Sequence, residues 1–506
     1  MTLHTMLLLL VTAVLIGVTG DLLLRPAPWG VGFSIWIGIA IGAALLFLAW
    51  TRVSPPRTLL ILQGVAFGFA MCLAWRDAAS LTGWNVFATA VALVLALLQA
   101  RGVALWSARA FNYLSGMLNA GLSVVLAPVI LLGRELSADR PSEPQTTKVL
   151  RGASLGLLLA LPIVVVFGAL LISADPLFER LVRRLFDWDF EKLMSHAFVI
   201  GVLTWLSFGF LRALVRADTD DPEIALPRAK FSLGSLEVGV PLVAVTLLFL
   251  VFVALQARWL FGGEEVIRAT VGLTYAEYAR RGFFELITVA ALVIPLLMVA
   301  DWAIGDRTPL TTRRFRALAA TQLVLVGAIL ASAVARLWLY QDAYGLTETR
   351  LYAAAFMTWI ALTLGWFGLS VLRGQRERFV AGAAVAGFLV VAGLNVLNPD
   401  RTIVRTNVAR ALSDKELDVS YVTTLSADAE PYLLAALPSL SADDRCAVAR
   451  HLVDASAARL GTSWRTWNLG RARASGIADR ARPTAARCPD VPTPTMGDDT
   501  AASVEP

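Results

Sequence analysis

Apolar runs long enough to cross a bilayer recur along the chain, each ended by arginine, proline, glycine or an acidic residue. A spanning helix takes about 20 predominantly apolar residues. Twelve runs approach that length: 3–24, 31–50, 58–75, 84–100, 114–133, 152–172, 195–215, 236–257, 283–300, 317–338, 351–372 and 379–397. The pattern predicts an all-α polytopic membrane protein with about twelve transmembrane helices over residues 1–397. From residue 398 the chain turns polar. Residues 398–482 read as a helical tail packed on the membrane domain, because Leu433, Leu434, Leu437 and Leu440 need a surface to cover. Residues 483–506, rich in proline, threonine and aspartate, read as a disordered end.

Composition narrows the class further. Of 506 residues 57% are hydrophobic and only 16% charged, with a mean hydropathy of +0.67. A soluble domain carries about 25% charged residues, so a soluble enzyme is excluded. Of the 44 basic residues only four are lysines, and no basic stripe interleaved with aromatics appears, which excludes nucleic-acid binding. Cys72 lies in an apolar run, and Cys446 and Cys488 lie in the tail. No CxxC occurs and the three histidines are scattered, so no metal site is expected. No phosphate loop, nucleophile elbow or zinc-protease motif is present, so no cofactor and no catalytic set are expected. Gly30-Val31-Gly32 and Gly262-Gly263-Glu264 are too short for nucleotide loops and read as loop geometry. The first apolar run lacks a basic flank and a small-residue cleavage site, so it reads as a spanning helix and not a removable signal.

Orientation follows from lysine and arginine in short loops. With the loops numbered in order, and Arg212 and Arg336 near the helix ends counted with the loops that follow them, the odd ones hold 17 basic residues and the even ones 14. The odd loops are also plain polar linkers, which places them in the cytoplasm. Both termini, and the tail, are then extracytoplasmic. An oxidising compartment would allow a Cys446–Cys488 disulfide.

Four segments are more than connectors. Asp175 before Pro176 is a cap signal followed by an apolar stripe, predicting an interfacial helix near 175–192. Thr274 and Glu277 have capping-box spacing, predicting another near 274–286, with Tyr275, Tyr278, Phe283 and Phe284 at headgroup depth. Arg336 precedes Tyr340 to Arg350, where Gly345 permits a turn and Thr347 caps the next helix. Asn398-Pro399 opens a further helix carrying Arg401, Arg405, Asn407 and Arg410, and Ser413 to Glu416 reads as a capping box. By parity these segments share one membrane face. The candidate polar layer there comprises Asp175, Glu277, Tyr278, Arg281, Arg336, Tyr344, Arg350, Asn398, Arg401, Arg405 and Asn407.

These stretches resemble a bacterial polytopic membrane family of unknown function, number 4173, related to number 4153. The resemblance is carried by Arg151-Gly152 with Pro162, Ser173 to Phe178, Gln256 to Gly263, Thr274 to Leu286, Arg336 to Arg350 and Asn398 to Asn407. In the tail it is carried by Leu417-Asp418, Tyr421, Leu425-Ser426, Asp428-Ala429, Pro431, Trp464, Trp467 to Leu469, Arg471 and Arg473. Asp21 to Leu23 and Arg76 to Asn85 match more loosely. The resemblance implies a bacterial inner-membrane protein and carries no activity.

Two functional readings follow. The first is a non-enzymatic envelope sensor, scaffold or regulatory subunit with a membrane or envelope protein partner. Its basis is the single elaborated face and the absence of Asp, Glu, Lys and Arg from the helix centres, where coupled transporters place charge. The alternative is a transporter or lipid-handling protein that holds an anionic lipid headgroup on the arginine layer. Against it stand snorkelling arginines at helix ends, and Asp175 and Glu277 are explained as well by capping as by acid–base work. Trp464 and Trp467 read as closing a small helical core.

Overall fold

A computed structural model describes residues 3–137, 167–168, 171, 175, 190–215, 234–260, 283–304, 308–413, 415–459 and 463–489. The long helices are α1 (Leu3–Leu24), α2 (Val31–Trp50), α3 (Arg57–Trp75), α4 (Ala79–Ala100), α5 (Ala110–Ser137), α6 (Phe190–Val215), α7 (Ser235–Leu260), α8 (Phe283–Ala303), α9 (Pro309–Tyr344), α10 (Glu348–Ser370) and α11 (Phe379–Leu397). Among the described residues ten of these are long and apolar enough to cross a membrane, and α5 lies beside α6 as an eleventh long helix. The chain is an all-α polytopic protein. The predicted run at 152–172 lies almost wholly outside the described residues.

The helices alternate in direction, and their contacts define two ends. At one end Arg376 pairs with Asp301 at 2.9 Å, and Arg109 reaches Glu377 at 3.8 Å. At the other end sits the tail. It is built from α12 (Pro399–Ala411), α13 (Val419–Val422), α14 (Glu430–Ala436), α15 (Ala442–Ala458), α16 (Leu469–Ala474) and α17 (Ile477–Ala485). One apolar core runs from Ala78, Leu81, Leu346, Leu351 and Leu394 of the membrane domain into Ile403, Leu425, Leu433, Leu437, Val448, Leu452 and Ile477 of the tail. Leu433 and Leu437 are thus covered by helix ends.

The tail end gathers the α1–α2, α3–α4 and α9–α10 connections. α5 leaves the opposite end after the 101–109 hairpin and runs antiparallel to α6, with Trp205 Nε1 donating to Val125 O at 3.0 Å. α6 in turn starts near the tail end, where His196 Nδ1 hydrogen-bonds Asp21, itself ion-paired with Arg25 at 2.7 Å. α5 thus runs toward the end at which α6 begins. This corrects the expected parity. The N-terminus and the tail lie at opposite ends, and the 25–30 and 76–78 connections join the tail face. From α6 to α11 the described helices alternate as expected.

Local signals explain most helix limits. Thr308 accepts from Thr311 N at 3.2 Å and Pro309 opens α9, so that helix runs well beyond the predicted 317–338. Asn398, at φ 57°, accepts from Arg401 N at 3.2 Å and caps α12. The capping box expected at Ser413 does not form. Ser413 ends α12 by donating to Ala409 O, and Asp418 caps α13 instead. Order also extends past the expected boundary at 483, since α17 continues through Pro483 to Ala485 and Cys488 is bonded to Cys446. Inside the helix bundle Asn85 and Asn395 exchange two amide hydrogen bonds at 3.0 and 2.7 Å, satisfying polar groups that lipid cannot.

Candidate functional site

The tail meets the membrane domain through buried polar groups, and these form the candidate site. Asn468 is fully buried. Its Nδ2 donates to Leu73 O and Arg76 O, both at 2.6 Å, and its Oδ1 accepts from Gly470 N and Arg471 N at 2.8 and 3.2 Å. One side chain therefore caps the C-terminus of α3 and the N-terminus of α16. Beside it, Asp77 forms an ion pair with Arg471 at 2.8 Å and accepts from Ala427 N at 3.2 Å, and its own amide donates to Asp428 Oδ2 at 2.7 Å. Arg76 donates to Asn395 O at 2.7 Å, lies 3.9 Å from Asp428 and stacks on Trp75.

The Gly30-Val31-Gly32 segment is where the tail's backbone lands. Val31 N donates to Trp467 O at 2.8 Å. A Cβ on Gly30 would stand 2.3 Å from Trp467 O, and one on Gly32 2.9 Å from Arg465 O. Only glycine admits that approach.

Asp400, in the first turn of α12, is 1% exposed. Its Oδ2 accepts from the amide and hydroxyl of Ser426, while Oδ1 has no hydrogen-bond partner among the described residues. Burial pushes the carboxyl above its ordinary range. The two Ser426 hydrogen bonds oppose this, and the Glu348 and Asp77 carboxylates add to it. Asp428 is raised too, chiefly by burial, against its bond from the Asp77 amide and the Arg76 charge. The folded chain thus holds these protons more tightly than the unfolded one. The resulting stability is present in full below the ordinary carboxylate pKa of 3.8 and is lost as pH rises through the raised folded values. Asp400→Asn keeps an acceptor for Ser426 and removes the charge. It is expected to raise the melting temperature at neutral pH and flatten its fall toward alkaline pH. A variant that melts below the parent at neutral pH would contradict this.

The predicted polar layer is only partly brought together. Asn407 holds both backbone groups of Leu346, accepting from its N–H and donating to its carbonyl at 2.8 Å each. This packs against Gly345, at φ +81°, where a Cβ would meet Asn407 Oδ1 at 2.7 Å. Arg350 donates to Gly345 O and lies 4.0 Å from the Tyr340 ring, which in turn packs edge-on against Tyr344. Arg401 lies over Tyr432 at 4.9 Å. Arg410 caps α9 through the carbonyls of Asp342 and Ala343. Thr347 occupies the expected cap position of α10, but Tyr421 Oη, not a threonine side chain, accepts the Glu348 amide, at 2.7 Å. Arg405 is exposed on α12, Arg336 lies partly buried within α9, and the Asp175 amide donates to Leu171 O. Glu277, Tyr278 and Arg281, and nearly all of the two expected interfacial helices, lie outside the described residues; 283–286 instead form the first turn of α8.

Arg350, Arg401 and Arg410 each engage groups of their own chain and do not converge on one cavity. Among the described residues no three metal-ligating side chains come together. A groove of about 550 Å³ between α9 and α10 is lined by Leu323, Gly327, Leu330, Ala331, Gly365 and Gly368 among others, and offers no polar side chain to orient a ligand. Cys446 and Cys488 are joined in a disulfide that ties α15 to the end of α17, with Cα atoms 5.5 Å apart.

Sequence reasoning passed over several polar members of this interface. Asp77, Asp428, Asn468 and Arg471 belong to the stretches that carry the family resemblance, yet in a one-dimensional reading they look like loop polarity. The Asn468-Leu469-Gly470 run was the available signal, an Asx cap before a short helix. Comparison with curated proteins and with solved structures finds no match. The sequence profile of the family described as a domain of unknown function (DUF4153) matches residues 63–436, most of the membrane domain together with the first part of the tail, and the chain belongs to that family.

Proposed function

We propose that this protein is a non-enzymatic scaffold or regulatory subunit of the bacterial inner membrane, presenting its tail as a rigid extracytoplasmic platform. One observation carries this reading. A layer of buried polar residues, most of them outside the predicted one, serves as attachment, locking the tail onto the ends of α2, α3, α9 and α11 through a shared core and buried hydrogen bonds. A layer used up in this way leaves recognition to the tail's outer surface. The motifs that resemble the related family 4173 support the same bacterial inner-membrane setting.

The orientation rests on the short loops. Among the described residues, those opposite the tail carry Arg52, Arg57, Arg101, Arg109, Arg313, Arg314, Arg316, Arg373, Arg376 and Arg378. Among the described residues, the short connections between long helices on the tail side carry Arg25, Arg76 and Arg350. Arginine-rich short loops stay in the cytoplasm, which sets the tail and its disulfide outside.

The test combines topology and capture. A phosphatase active only outside, fused after residue 506, is expected to be active, and a fluorophore that matures only inside is expected to stay dark. Mild extraction of the full chain is expected to bring a stoichiometric membrane or envelope protein with it. An inactive phosphatase overturns the orientation, and extraction of the chain with no protein partner overturns the scaffold reading.

A further inference from the structure

We propose that Trp29, Trp464 and Trp467 form a membrane anchor that seats the tail's edge in the lipid headgroup layer. The tail then touches the bilayer as well as the helix ends. This goes beyond the platform reading, because it names a lipid surface as a partner of the tail whatever protein the platform serves.

The tryptophans do not close a core. Trp464 is 62% exposed, Trp467 49% and Trp29 37%. Large apolar rings left this open on a rigid backbone call for a covering phase. Indole favours the membrane–water boundary, where its ring is shielded and its N–H stays wet.

Their height is set by main-chain contacts. The 3-10 turn Trp464–Thr466 lies against the start of α2. Trp467 O accepts from Val31 N, the first residue of α2. Arg465 Nη1 donates to Leu22 O in the last turn of α1 at 2.7 Å. Trp29 Nε1 donates to Leu24 O at 2.8 Å, and Arg471 holds the carbonyls of Pro28 and Trp29 at 3.2 and 3.0 Å. All three rings are therefore pinned where two spanning helices end, which is the depth of the headgroups.

Their direction follows from α2. Ile35, Ile39 and Leu46 are exposed along one stripe of this helix, the surface it turns toward lipid. Gly32, three residues before Ile35, continues the stripe, yet it is buried because Leu23 of α1 and Arg465 of the tail lie on it. The tail segment thus covers the top of a lipid-facing stripe, and its exposed tryptophans prolong that surface. Arg25 is exposed beside them, and Arg465 and Arg471 are only partly buried. Alternation of indole with guanidinium suits a zwitterionic or anionic headgroup layer better than a dry protein interface.

The experiment uses the full chain in nanodiscs of phosphatidylcholine and phosphatidylglycerol, with ring-fluorinated tryptophan. Trp29→Phe, Trp464→Phe and Trp467→Phe assign the three fluorine lines. Each variant leaves the main-chain contacts in place, and unchanged positions of the other lines show that the fold is kept. Nitroxide lipids labelled near the headgroup are expected to broaden all three lines several-fold more than a water-soluble gadolinium chelate does. Stronger broadening by the aqueous chelate overturns the proposal, because the rings then face water. Lines untouched by either reagent also overturn it, because protein, this chain's own or another copy's, then covers them.

Discussion

Asn468→Ala is expected to release the end of the tail from the membrane domain. The side chain makes four hydrogen bonds in full burial, two to carbonyls at the end of α3 and two from amides at the start of α16. Alanine leaves all four groups unpaired away from water, at about 1–3 kcal/mol for each group that cannot find another partner. Partial relaxation still leaves a loss on the order of 3 kcal/mol. At tenfold for every 1.4 kcal/mol, amide exchange over residues 469–485 should accelerate more than about a hundredfold. Asn468→Asp should be worse, because it replaces two donors with a carboxylate facing the Leu73 and Arg76 carbonyls at 2.6 Å. Exchange in α6 to α8, which the side chain does not touch, should stay at the parent rate. Unchanged exchange in the tail of either variant would show that this contact does not hold the tail.

Breaking the Cys446–Cys488 bond is the second change with a large expected effect. It closes a loop across 42 residues, and chain-entropy reasoning assigns such a closure about 4 kcal/mol. The loop contains the Trp464–Thr466 turn, Asn468 and Arg471, so every contact from the tail's end to the α1–α2 connection lies within it. Cys446→Ser with Cys488→Ser is expected to lower the tail's melting temperature and open residues 463–489 to protease, while the helical bundle stays resistant. Reductant added to the parent should reproduce both effects. A doubly substituted chain as protease-resistant as the parent would assign the tail's order to its apolar core alone.

The two changes act on the same tail end from different sides. Asn468 works in the folded state, by leaving no orphaned group at a helix junction. The disulfide works mainly on the unfolded state, by limiting how far the tail's end can wander. Combining them should show whether the docked segment and the α15–α17 pair open together, since coupled sites depart from additivity.

The all-α class was legible from hydrophobic period and length alone, because in a bilayer every backbone group must be satisfied within its own helix. Caps were legible where the signal is local. Asn398-Pro399 and Thr308-Pro309 stop or start helices through bonds to residues three positions away. The Ser413 box failed because its backbone was already committed to ending α12. The parity of the N-terminal half failed because hydropathy counts apolar runs without registering which end of the bundle a run returns to.

Residues 398–482 read as polar helices in need of a covering surface, and what covers them is decided by distant parts of the chain. Asn468 finds Leu73 and Arg76 across more than 390 residues, and Asp428 finds the Asp77 amide across 351. The same distance in sequence separates function from appearance. Arg350, Arg401, Asn407 and Arg410 carry the residue types of an anion site, but folding points them at carbonyls, amides and aromatic rings of their own chain. Trp464 and Trp467 carry the residue types of a small core, but Gly30 and Gly32 let their backbone lie flat on α2 and turn the rings outward. The sequence by itself determined helices, length and apolar stripe, because those depend on neighbours within a few turns. Only the tertiary structure decided which polar groups become glue and which aromatic rings remain exposed, because that depends on which helix ends the bundle brings together.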